Sequence, residues 1–219
     1  MRWVPQVPGG TIELRYAIAD GDVEQPSSVN CRSMRAPNEL LARSGLEMGD
    51  LRRALAEAFA RWHAVADVAF IEVGPGARAD IVIGEQQQPV GFAFTDVQLG
   101  APIGPGLRPI VGASVCLNPE RKWKIGYDGN LAVYDLVHTL THEIGHTIGL
   151  DHPGRSGHLM SFRYSETLAG LSDGDVQGAV TLYGVRKHTI VEADTKAPEP
   201  TPRGEGISTI GRSLTDDPS

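Results

Sequence analysis

Residues 142–152 read His-Glu-Ile-Gly-His-Thr-Ile-Gly-Leu-Asp-His, and this run decides both fold and chemistry. On a helix, positions i and i+4 lie one above the other on a single face, so His142 and His146 can point at one ion. Glu143 follows the first of them and sits too close along the chain to join the same tetrahedron. It is free to take a proton from a water on the metal. Gly149 stands three residues past the second histidine, where helices stop with a residue in the left-handed conformation. The chain then doubles back and delivers His152. Three neutral imidazoles with a fourth position open is the coordination of a catalytic zinc; a structural zinc asks for a fourth protein ligand and has no use for Glu143. The whole pattern arises by chance in on the order of one chain in 100,000 of this length.

Around that run the pattern is α+β. Residues 131–150 read as the helix carrying the first two ligands, with Asn130 as its cap. Residues 171–183 read as a final helix, capped by Ser172 and stopped by Gly184. Upstream, Leu51, Leu55, Ala58, Phe59 and Trp62 recur at helical spacing behind Asp50, a candidate cap. Ile12, Leu14, Tyr16 and Ile18 alternate as in a strand, and 70–73 and 80–83 are further strands split by a Gly-Pro-Gly turn. Weaker strand patterns occupy 91–95 and 111–117. Residues 20 to about 47 are rich in Gly, Pro, Ser and Asn and read mostly as a long surface connection. Strand, helix, two strands and later helices suggest a mixed sheet covered on one side.

The chain has 219 residues, enough for one domain with a real core. It is 41% hydrophobic and 21% charged, with a net charge of −7 spread over both signs. No basic block points to nucleic acid, and no apolar stretch is long enough to span a membrane. From about Val185 the composition turns to Pro, Glu, Thr and Ser with little apolar periodicity, so 1–184 is expected to form the folded domain and 185–219 a polar, disordered tail. The first ten residues contain no apolar signal-peptide core; a removed leader, leaderless export and an intracellular site all stay open. Cys31 and Cys116 allow one bridge or two free thiols.

The zinc run resembles the extended signature of the metzincin metallopeptidases. That clan carries a methionine turn downstream, and Gly157-His158-Leu159-Met160-Ser161 follows His152 after a short loop. Met160 would then lie as a soft apolar floor beneath the histidines. Within the clan the chain is most similar to the matrixins. Trp3 and Glu13-Leu14-Arg15-Tyr16 look like that family's opening strand, residues 51–62 like its first helix, Ala79-Asp80-Ile81-Val82-Ile83-Gly84 like its third strand, and 171–184 like its C-terminal helix. The likeness covers roughly residues 3–184. It implies a five-stranded, mixed, twisted sheet whose antiparallel edge strand borders the substrate cleft, an active-site helix and a C-terminal helix. Gly91, Phe92, Ala93 and Phe94 are the candidate edge strand, where an extended peptide would pair by strand addition. Asp175 matches the residue that anchors the methionine turn; the aspartate that precedes it in the family is Gly174 here.

Other features depart from the family. Between Ile83 and Tyr127 no histidine is present to hold a second, structural zinc, so one catalytic Zn2+ is expected. The acidic calcium loops are reduced to Asp96, Glu120 and Asp128, weak candidates for Ca2+. No pro-segment cysteine motif is present. Pro153 after the third ligand is as much like the serralysins, but their tyrosine two residues past the methionine is Phe162 here and their calcium repeats are missing; Tyr164 could take that place only in an unusual turn. His138, one turn before His142, occupies the position that lines the main leaving-side pocket in matrixins, against a surface or capping role. His158 and His188 read as solvated; His63 ends a helix, where its charge would suit the dipole. The resemblance implies a monomeric, extracellular zinc endopeptidase acting on protein or peptide, with Glu143 as base and acid. The rival is a zinc-containing peptide-binding module without turnover.

Overall fold

Ile12, Leu14 and Tyr16 turn one face of β1 (Ile12–Ile18) into the core while Glu13 and Arg15 stay in solvent, the period-two pattern of a half-buried strand. The computed structural model describes residues 1–5, 9–74 and 76–186. His188 and the expected tail from residue 187 onward lie outside the described residues, whereas Val185 still bridges to Ala66. β1 pairs in parallel with β4 (Val68–Glu72) and with β5 (Ile81–Gln86). β5 pairs in parallel with β7 (Ile110–Leu117), and β6 (Ala93–Leu99) runs antiparallel to β7. The five long strands therefore lie in the order β4-β1-β5-β7-β6, a mixed sheet with an antiparallel edge. Two short strands, β2 (Val23–Glu24) and β3 (Ser33–Arg35), extend it beside the end of β5.

Helices α2 (Met48–Val65) and α3 (Leu136–Thr147) pack together, and the Trp62 indole N–H donates to the Thr141 carbonyl across the seam at 2.8 Å. Leu51, Leu55, Phe59 and Trp62 of α2 meet Leu136, Leu140 and Ile144 of α3 in the main core. Helix α4 (Asp173–Tyr183) starts at Ser172, whose hydroxyl caps it in a capping box with Asp175, and ends at Gly184 as the sequence suggests. On the face of the sheet away from the main core, Cys116 of β7 forms a disulfide with Cys31. Both are fully buried with Met34, and Phe94 packs against them. The bridge ties the segment before β3 to the strand next to the edge.

Three local expectations shift. The ligand helix starts at Leu136 and not at 131, because Asp135 caps it, accepting from the His138 N–H at 2.6 Å. Asn130 instead accepts from the Ala132 N–H in a turn. Residues 134–135 form a short strand, β9 (Tyr134–Asp135), beside β8 (Trp123–Lys124). Likewise α2 starts at Met48: Asp50 is its third residue and accepts from the Glu47 N–H at 2.8 Å. The stretch 20–47 is more than a connection, since it holds β2, β3 and α1 (Asn38–Ser44). The buried Glu85 of β5 organises it, accepting from Leu40 N at 2.8 Å and from Arg35 Nε at 2.7 Å. Contacts with a strand so distant in sequence leave no local periodicity to read.

Candidate active site

Helix α3 presents His142 and His146 on one face, and the chain after it returns His152 to them. Gly149 makes the reversal with φ of +94°, and a Cβ there would stand 2.8 Å from the Met1 carbonyl oxygen, so glycine is required twice over. The three Nε2 atoms form a triangle with sides of 3.1, 3.1 and 3.2 Å. His142 Nδ1 lies 2.9 Å from the Leu159 carbonyl oxygen and His146 Nδ1 lies 2.8 Å from that of Leu150. Carbonyls only accept, so both Nδ1 atoms carry the proton and both Nε2 atoms turn a lone pair toward the centre. Lone pairs at such separations repel unless a cation lies between them. Imidazoles sharing one tetrahedral zinc at about 2.0–2.1 Å stand about 3.3 Å apart, so the donor set fits zinc. Burial, and then the neighbouring His146, hold the His142 pKa down to about 3; burial also lowers that of His146. Both rings are neutral near pH 7, as ligands must be.

Glu143, next to His142 on α3, is buried. Its Oε2 lies 2.7 Å from the Thr95 hydroxyl on β6. Burial pushes the Glu143 pKa up to about 7, the Thr95 bond opposing it. Glu143 and the three histidines line a cavity of about 530 Å3 together with Gly91, Phe92, Ala93, Phe94 and Thr95. Strand β6 begins at Ala93, so only Ala93 and Phe94 of the expected edge segment lie on it. Gly91 precedes it with φ of +59° and accepts from the Asn118 amide at 2.9 Å. Phe92 stacks on Tyr134 at 3.8 Å.

The methionine segment is held by Asp175 of α4. Its carboxylate accepts from Leu159 N at 2.9 Å and from Met160 N at 3.2 Å, and the Ser172 N–H and hydroxyl reach the same Oδ2 at 2.8 and 2.7 Å. Met160 is buried against α3, with its sulfur so close to Gly145 that no Cβ fits there. His158 is not solvated. It is half-buried, its Nδ1 lies 2.7 Å from the Ser172 hydroxyl, and its ring covers Gly174.

His138 lies at the inner wall of the same cavity and is buried, so the surface role is set aside. The Tyr127 hydroxyl donates its one proton to the Leu168 carbonyl at 2.7 Å and so accepts from His138 Nδ1 at 2.8 Å. Tyr164 meets the His138 ring edge-on at 4.9 Å and stacks on Tyr134 at 4.2 Å. Tyr164 is thus committed to this wall, its hydroxyl accepting from Asp135 N at 2.9 Å and donating to Glu166 at 2.8 Å. Phe162 stands 82% exposed at the rim, edge-on to His152 at 5.4 Å.

Among the described residues, the metal-ligating group brought within range of one ion is His142, His146 and His152. Of the calcium candidates, Asp96 accepts from Asn30 N and Cys31 N at 2.8 and 2.7 Å, and Asp128 is paired with Lys124. Thr95, Tyr127, Tyr134 and Asp135 join the cavity or support it without being singled out in the sequence; Thr95 falls only at the end of the weak strand pattern over 91–95.

The matrixin family model (Peptidase_M10) matches residues 39–184. The chain belongs to the matrixin family. The matrixin's similar relatives include interstitial collagenase of Sus scrofa, 28% identical over 159 residues, which are 70% of this chain and 32% of the relative. Stromelysin-3 of Xenopus laevis is 32% identical over 169 residues, 71% of this chain and 31% of the relative. Neutrophil collagenase of Homo sapiens is 27% identical over 162 residues, 71% and 33% of the two. The matrixin thus matches about a third of the length of these relatives. No described helix is long and apolar enough to cross a membrane.

Proposed function

We propose that this matrixin is a zinc endopeptidase that cuts internal peptide bonds of protein substrates, with Glu143 as general base and acid. The observation that carries the reading is the triangle of Nε2 atoms 3.1–3.2 Å apart with a buried carboxylate beside it in an open cleft. His142, His146 and His152 would hold the metal. Bound zinc supplies Lewis acidity, lowering the pKa of a water toward neutrality and polarising the scissile carbonyl. Glu143 takes the proton of the attacking water and passes it to the leaving amine nitrogen. Met160 and Asp175 fix the loop whose Leu159 carbonyl orients His142.

Substrate would pair along β6. Asn118 N donates to Phe92 O at 2.8 Å, so by antiparallel alternation the backbones of Phe94 and Asp96 face β7, while those of Ala93, Thr95 and Val97 face outward. An extended peptide adding there crosses the zinc ligands and needs no free terminus. His138, braced by Tyr127 and Tyr164, closes the inner wall of the pocket and restricts the side chain that enters it. The buried Cys31–Cys116 bridge favours maturation in an oxidising, extracellular setting.

The test compares wild type with Glu143→Ala on a denatured protein, with bound metal measured in both. Equal zinc with cleavage lost in the variant supports the reading. Equal cleavage removes Glu143 from the chemistry, and zinc bound without cleavage by the wild type returns the binding-module reading.

A further inference from the structure

The Thr95 hydroxyl lies 2.7 Å from Glu143 Oε2 and 3.0 Å from the Glu143 carbonyl oxygen. It has one proton to give. The carbonyl sits within α3, where the fourth residue onward supplies its N–H. The carboxylate makes the stronger, charge-assisted bond, so the proton goes to Oε2. Among the described residues the hydrogen bonding of the Glu143 side chain runs through Oε2 alone. Oε1 is the oxygen left for solvent in the cavity that Glu143 lines.

We propose that Thr95 is a positioning residue that reserves Oε1 of Glu143 for the moving proton. The inference rests on Glu143 being the base. With the carboxylate ionised, Oε2 accepts from Thr95. When the attacking water gives its proton to Oε1, Oε2 becomes the carbonyl oxygen of the acid and still accepts from Thr95. The proton then leaves Oε1 for the amine nitrogen, and the carboxylate returns to its first state. No rotation of the carboxyl group is needed in either transfer, and the bond that fixes it never breaks. A base free to rotate would populate arrangements in which the proton faces the sheet and not the substrate.

The location of Thr95 adds a second consequence. Its backbone is on the outward-facing edge of β6, whereas its side chain turns to α3. One residue therefore offers its N–H and carbonyl to the docked peptide and its hydroxyl to the base. Docking register and base alignment are set from the same Cα. The β-branched side chain holds its χ1 stiffly, which suits a fixed donor.

The test uses T95V, isosteric but without the hydroxyl, and T95S, which keeps it, each loaded with zinc; T95A serves if the valine variant does not fold. The expected result for T95V is a kcat lower by about 10- to 100-fold, in the range that misplacement of a reacting group costs, with KM within about threefold because the backbone edge is untouched. T95S should recover kcat to within about threefold of wild type. Zinc content should match wild type in all variants, and a crystal structure of T95V should show the Glu143 carboxylate rotated or in two conformers. The proposal is overturned if T95V keeps kcat within twofold, if T95S is as slow as T95V, or if Glu143 stays in its wild-type rotamer without the hydroxyl. E143A run in parallel separates the two readings: an active E143A sinks the base assignment itself, whereas an inactive E143A with a fully active T95V sinks only the role of Thr95.

Discussion

Replacing Asp175 with alanine should damage the metal site from a distance, and the size of the effect can be worked from its contacts. The carboxylate is buried and accepts from four donors: Leu159 N, Met160 N, Ser172 N and the Ser172 hydroxyl. Leu159 and Met160 are buried, so their N–H groups would lose a partner with no water to replace it, at about 1–3 kcal/mol each. Loss of Asp175 from the capping box with Ser172 at the start of α4 adds about 1 kcal/mol. A total of about 3–7 kcal/mol is a large share of the 5–15 kcal/mol typical of a domain. The same loop carries the Leu159 carbonyl that fixes His142, and loss of such support costs about 10- to 100-fold in metal affinity. Urea unfolding of the metal-free protein and zinc competition against a chromogenic chelator measure the two effects separately. Asp175→Asn, which keeps one acceptor, should fall between wild type and Asp175→Ala in both. If the alanine variant unfolds within about 1 kcal/mol of wild type and binds zinc equally well, then the carboxylate does not hold the turn and the coupling argued here is wrong.

Four further outcomes are expected. Gly145→Ala should lower stability by about 1–3 kcal/mol despite its better helix propensity, because the new Cβ overlaps Met160 Sδ and stands 2.8 Å from Trp62; thermal melts decide it. Replacing both Cys31 and Cys116 with serine should cost about 2–5 kcal/mol, since the bridge closes a loop of 85 residues, and denaturant midpoints with and without the bridge would show it. In the metal-free protein, His142 is held at about 3 and His146 is lowered in the folded state against an ordinary 6.5. The unfolded chain then takes up protons that the folded rings refuse, so the contribution of these two rings is full above about pH 6.5 and is lost as pH falls toward 3, while the raised Glu143 works the other way between about 7 and 4.5; unfolding midpoints that do not fall between about pH 4.5 and 3 would contradict it. His138→Leu should change the side-chain preference on the leaving side in a peptide-library profile, with zinc content unaltered, and an unchanged profile removes His138 from specificity.

What the sequence displays well is whatever is local and periodic. The i, i+4 spacing of His142 and His146, the positive φ at Gly149 and the alternation along Ile12, Leu14 and Tyr16 are each written within a few residues. The edge strand begins two residues later than its apolar pattern suggests, since Gly91 turns with a positive φ and Phe92 stacks on Tyr134. Glu85 and Asp135 were invisible for a different reason. Each organises a segment through backbone N–H groups, Leu40 N in one case and Gly126 N and His138 N in the other. A residue type alone does not show which backbone it will satisfy. His158 misled in the same way: an exposed-looking histidine in a Gly-rich turn gains its burial from Ser172 and Gly174 of the helix α4 start.

The histidine rings are aimed less by their own helix than by the loops that follow it. α3 fixes where His142 and His146 start, but the carbonyls that orient their Nδ1 atoms belong to Leu159 and Leu150. Leu150 is placed by the Gly149 reversal, and Leu159 by the grip of Asp175 on the methionine segment. Glu143 is held from a third direction, by Thr95 of the sheet edge. Helix, post-helix loop and sheet edge thus each fix one element of the site, and a shift of any one misaligns the three histidines, Glu143 and β6 relative to one another. That dependence explains why a helix with the same five-residue zinc motif on an unrelated scaffold would not by itself make the site: the second and third anchors come from residues 95, 149 and 175, none of them inside the five.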